Sequence, residues 1–148
     1  MATGHWLTNR GKNNLLLGRG TSLKVALLIV QPAALDTQAE VADMNTVTDV
    51  IVTAGATECS VGGYARQAVA SFTRTEDDTN DRVNMDVADI AFGALTTGQT
   101  IVGALWYDAT TDTNDTTREA VSIDWFAAGV PTNGGTFTYA VADMYRLS

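Results

Sequence analysis

The chain has 148 residues and a net charge of −8, from 9 Lys and Arg against 17 Asp and Glu. That length suits one domain and buries about two-thirds of the unfolded surface without disulfides or a metal; the acidity argues against direct nucleic-acid binding and against an anionic membrane. Hydrophobic residues make up 45% and charged residues 18%, below the roughly 25% charge of soluble domains; Thr, Asn, Gly and Ala make up the difference, and such a neutral surface costs little to desolvate against another protein.

Residues 1–10 lack an apolar run of signal-peptide type, and residues 25–30 are too short an apolar stretch to cross a bilayer, so synthesis in a cytoplasm is expected. Residues 1–10 read as a flexible arm that orders on binding. Gly11, Gly18 and Gly20 punctuate the next segment, and residues 12–17 predict a short helix with Gly18 as its stop. Residues 22–30 predict a buried strand with Leu23, Val25, Leu27 and Ile29 on one face and Ala26 and Leu28 on the other. Pro32 ends it, because proline lacks the N–H a ladder needs. Residues 31–44 read as a loop. In residues 45–53, Val47, Val50 and Ile51 fit a helical face while the Thr and Val content favours a strand; the reading leans to a short helix stopped by Gly55.

Gly62 and Gly63 mark a turn, and residues 64–74 predict a strand pairing with residues 82–87, where Val83, Met85 and Val87 alternate. The connection over 75–81 is rich in Asp and Asn, which bond their own backbone in turns. Residues 90–92 predict a short strand. Residues 101–107 predict a strong one, apolar enough to be buried on both faces. A polar loop over 108–117, a strand over 121–126, a turn over 131–135 and a strand over 136–141 follow, with residues 144–147 extending the last. The whole reads as one mainly β domain over residues 1–148: an antiparallel β-sandwich, jelly-roll or Ig-like, with a short N-terminal helix.

Chemistry-bearing residues are few. His5 is the only histidine and Cys59 the only cysteine, so a zinc site or a catalytic triad lacks its partners. Cys59 reads as a small buried apolar side chain, with Glu58 beside it opposing thiolate formation. The acids from Glu76 to Asp81 fail the calcium-loop template: counting from Asp77, Arg82 stands where Gly is needed and Ala88 where Glu is needed. Asp108, Asp112, Asn114 and Asp115 fail it likewise. Trp106, Trp125 and Tyr107 are the side chains a sugar would stack on if they were exposed, but their place in strands favours packing in the core. Gly18-Arg19-Gly20 lacks the rest of a phosphate loop. No catalytic, metal-binding or cofactor-binding residue is predicted.

Several stretches, in order, resemble small structural proteins of tailed-bacteriophage virions. They are Trp6 followed by a Gly-Lys and Leu-rich segment over 11–18; Leu23-Lys24-Val25-Ala26-Leu27-Leu28; Gly62-Gly63-Tyr64-Ala65-Arg66-Gln67; Asp77-Asp78-Thr79-Asn80-Asp81-Arg82; Ile101-Val102-Gly103-Ala104-Leu105-Trp106-Tyr107; and Gly135-Thr136-Phe137-Thr138. The resemblance implies a non-catalytic part of the virion, most directly a capsid decoration or cement protein that binds outside the major capsid lattice. Its partners would be the major capsid protein and other copies of itself, as a homotrimer or homodimer, with no cofactor, nucleic acid or membrane. Trp6, His5 and Arg10 are the candidate contact residues. A tail, neck or fibre-associated protein is the alternative, and a carbohydrate-binding module the reading from another class.

Overall fold

The computed structural model describes residues 2–8, 11, 22–33, 43–70, 73–80, 82–110, 113–141 and 145–147. They form a mainly β protein built on antiparallel sheets. The largest sheet runs in the order β1 (Ala2–Leu7), β9 (Glu119–Pro131), β8 (Thr100–Asp108), β2 (Leu23–Val30) and β3 (Thr57–Glu58), with β4 (Gln67–Ala68) also pairing with β2. A second ladder joins β7 (Ile90–Ala94) to β10 (Thr136–Tyr139). A third sheet has the order β11 (Tyr145–Leu147), β6 (Arg82–Asp86) and β5 (Thr73–Asp77).

The large sheet is covered on both faces, which is why β2 and β8 are apolar without interruption. On one face Leu23, Val25 and Leu27 of β2 meet Ala104 and Trp106 of β8 and Val121 and Phe126 of β9. Ile90 and Phe92 of β7 and Tyr139 of β10 close this core from above. On the other face Ala26, Leu28, Leu105, Tyr107, Ala120 and Ile123 pack against Met44, Val47, Val50 and Ala56. That second cover includes a π-helical turn, Asp49–Thr53. Its start is fixed by reciprocal bonds: the Thr46 N–H donates to Asp49 Oδ2 at 2.8 Å and the Asp49 N–H to Thr46 Oγ1 at 3.1 Å. It ends where Gly55 takes φ +75° and the Ala56 N–H reaches Val50 O at 3.1 Å.

Register explains how both faces fill. Trp106 pairs with Ser122 but Tyr107 with Ala120, so Val121 is an extra residue, a β-bulge. The bulge lets Val121 face the larger core while Ala120 and Ile123 face the smaller one. The Thr8 N–H donates to the Val121 carbonyl at 3.0 Å, supplying a partner at the bulge.

The ladders revise three expectations. Ala2–Leu7, read as an arm, is strand β1, with His5 paired to Asp124 and Trp6 to Ile123 of β9; its pairing is made by the backbone, which side-chain pattern does not reveal. The helix expected over 12–17 lies outside the described residues; the mainly β, antiparallel class is borne out, and the three sheets do not by themselves establish a sandwich. Residues 64–74 are not one strand: among the described residues of that stretch only Gln67–Ala68 and the start of Thr73–Asp77 join ladders, while Tyr64 and Arg66 are held by their side chains on Glu58. Finally, Tyr145–Leu147 does not extend β10 but pairs with β6, Tyr145 opposite Met85; alternation predicts a strand and not its neighbour.

Candidate interaction site

A surface cavity arises where β9 outruns its neighbours. Gly103 pairs with Trp125, but the next pair is Ile101 with Val130, so four residues of β9, 126–129, stand opposite Val102 alone. Pro131 then removes a ladder donor, Gly134 turns the chain at φ +87°, and β10 returns to pair with β7 rather than with β9. The two limbs diverge and leave a cavity of about 310 Å³ walled by Leu95, Phe126, Val130, Pro131, Phe137 and Tyr139. No charged side chain lines it among the described residues.

Its floor is rigid. The Tyr139 ring lies 5.7 Å from Phe126 and 5.9 Å from Trp106, centroid to centroid. The Tyr139 hydroxyl donates to Asp124 Oδ2, which also accepts the Trp106 Nε1–H at 2.8 Å. Asp124 is only 1% exposed, so this carboxylate serves two core donors instead of solvent. Phe92 stacks on Tyr64 at 6.2 Å and meets Phe137 edge-on at 6.0 Å, extending the aromatic wall.

On the opposite face of the sheet lies a cluster of charges centred on Arg66. Its guanidinium grips Glu58 through Nε and Nη2 at 2.8 and 2.7 Å. It also grips Asp115 through Nη1 and Nη2, both at 2.8 Å. Arg118 adds a bond to Asp115 at 2.8 Å. Both arginines lie over the Tyr107 ring, 5.2 and 5.5 Å from its centroid. Tyr64 donates to Glu58 at 2.7 Å and accepts the Leu27 N–H at 3.1 Å. The bond from Arg66 holds the Asp115 carboxyl below its ordinary range, helped by Arg118. Burial and the Glu58 bond push the Tyr64 phenol up. The two arginines match the two carboxylates in charge, and the cluster ties Glu58 of β3 to the loop that carries Asp115.

No family model, curated protein or solved structure matches the chain.

Of the candidate contact residues, His5 and Trp6 lie on β1, at the end of the large sheet, and Arg10 lies outside the described residues. Trp106 and Tyr107 are buried, at 0% and 1% exposure, and only Trp125 of the three aromatics is partly open; a sugar platform on these residues is therefore not formed. Cys59 is buried and burial raises its thiol pKa. Of the acids expected in a turn, Glu76 and Asp77 end β5 and Asp78 lies in the turn after it, where the Asn80 amide donates to both Asp77 carboxylate oxygens at 3.1 and 2.9 Å; Asp81 lies outside the described residues. Among the described residues no three His, Cys, Asp or Glu gather as a metal site. The cavity itself escaped sequence reasoning, although Phe126, Pro131 and Phe137 bracketing a Gly-rich turn was its trace.

Proposed function

We propose that the protein is a non-enzymatic virion structural protein, a capsid cement or decoration protein that binds the outside of the major capsid lattice and stabilises it. The observation that carries a binding role is the uncharged cavity beside β10, a feature suited to contact with another polypeptide. The side chains best able to do chemistry support the reading: Asp124 is tied to Trp106 and Tyr139, and Arg66 to two carboxylates. In this reading the β7–β10 ladder and the large sheet act as the two layers of a sandwich around the larger core. The resemblance to phage virion proteins supplies the lattice as partner, and net charge −8 suits a position outside packaged DNA. Many modest contacts on a symmetric lattice then add up without one strong site.

The test is co-sedimentation of the purified protein with shells that lack it. The expected outcome is saturable binding at a fixed ratio to the major capsid protein, with shells that resist heat longer. Absence of binding removes the cement reading and directs the same assay to tails and fibres.

A further inference from the structure

The walls of the cavity say how it is used. Successive side chains of a strand point to opposite faces, so a cavity above one face touches every second residue. This one is lined without a gap by residues 135–140 on one limb and by 130–133 on the other, with Gly134 alone between them not lining it. It therefore runs along the edge of β10, as a slot between two lengths of chain.

That edge has unused bonding capacity. β10 pairs with β7 and with no other strand among the described residues. Among the described residues, Thr136, Phe137 and Thr138 make no backbone hydrogen bond outside that ladder. In an antiparallel pair alternate N–H and C=O groups turn away from the partner strand, here into the slot.

We propose that the slot takes an extended, uncharged segment of a partner protein, added as a third strand beside β10. This rests on the reading of the protein as a binder of other polypeptides and names how it binds. An extended chain supplies the backbone partners that the edge lacks; a helix has already spent its own backbone groups internally. The volume of 310 Å³ matches about ten water volumes, room for two or three aliphatic side chains on Phe126, Phe137 and Tyr139. With no charge in the lining, a Lys, Arg, Asp or Glu inserted there is left unpaired, which selects against it. The β10 hydroxyls of Thr136 and Thr138, both exposed, suit Thr or Ser at the mouth.

The experiment uses the full chain and a library of immobilised random heptapeptides. Selected peptides are expected to alternate aliphatic with small polar residues and to avoid charge at the inserted positions. N-methylation of alternate amides in the best peptide should weaken binding at least tenfold. Thr138→Lys, an exposed change that places a charge on the edge, should do the same with an unchanged urea midpoint, whereas Val52→Asp on the other side of the sheet should not. Backbone amide shifts on binding should centre on 130–140 and on β7. Peptides that tolerate N-methylation, charged consensus sequences, shifts centred elsewhere, or no peptide sensitive to Thr138→Lys would each overturn the proposal. So would wild-type dimers that Thr138→Lys dissociates, since a second copy would then be the occupant. Peptide binding without shell binding removes the capsid as partner and keeps the slot; shell binding untouched by Thr138→Lys and without peptide binding removes the slot alone.

Discussion

Replacing Arg66 with Met tests whether the charge cluster stabilises the fold as its geometry implies. The substitution keeps the stem and deletes the fork, leaving Glu58 and Asp115 facing one another without their shared counter-ion. Fully exposed pairs contribute about 0.2–1 kcal/mol, and breaking a buried pair costs about 3–5 kcal/mol. Here the side chains of Arg66, Glu58 and Asp115 are 20%, 21% and 34% exposed, between those limits. A loss of about 2 kcal/mol follows from that interpolation, equivalent to about 4–8 °C in Tm for a chain of this size. Because Asp115 is depressed in the folded state, its contribution is complete above the ordinary carboxylate range and disappears as pH falls through its lowered value. Urea titrations at several pH values should therefore show wild type and variant converging at the acid end. Arg66→Lys should recover less than half of the loss, since an ammonium cannot bind two carboxylates side-on. A loss under about 0.5 kcal/mol, the level of an ordinary surface pair, with the acid limb unchanged, would refute the reasoning.

Three further outcomes are expected. Asp124→Ala strands the Trp106 and Tyr139 donors and should cost about 3–5 kcal/mol by urea unfolding, the sum of two unsatisfied buried groups and a small cavity; a loss below about 1 kcal/mol would show the carboxylate to be idle. Ser122 is fully buried and its hydroxyl has no partner among the described residues, so Ser122→Ala should leave stability unchanged or raise it by about 1 kcal/mol, and a clear loss would refute that reading. Gly63 sits at φ +84°, and a Cβ there would lie 2.1 Å from the Ala94 carbonyl oxygen. Gly63→Ala should therefore cost more than the roughly 1–2 kcal/mol of left-handed backbone alone, visible as a lowered Tm.

How much could be read from the sequence divides by the range of the interaction. β2, β6, β7, β8 and β10 were expected within a residue or two, because local alternation or an unbroken apolar run reports burial directly. The faces of β2 were also correct: Leu23, Val25 and Leu27 share one core, Ala26 and Leu28 the other. β9 was underestimated, since its end from Ala127 to Gly129 is small and exposed and carries no pattern. For residues 45–53 the lean to a helix proved correct in kind: Val50 is buried, but Asp49 O accepts the Ala54 N–H, a wider π-type spacing. The Arg66 cluster was invisible because its acids lie 8 and 49 residues away. Asp124 did leave a signal, an acid inside the run Val-Ser-Ile-Asp-Trp-Phe, where only a buried partner makes a charge tolerable.

The order of the large sheet also sets a timetable for synthesis. Its centre joins β2 to β8, Leu23 opposite Asp108, and its first strand pairs with β9, Gly4 opposite Trp125. The nascent chain holds its N-terminal strand unpaired until most of the protein has left the ribosome. Such high contact order places folding in the slower range, on the order of milliseconds to seconds. Removing residues beyond β9 should therefore be less damaging to this sheet than removing the first seven, which would expose a long edge of β9 and invite strand pairing between growing chains.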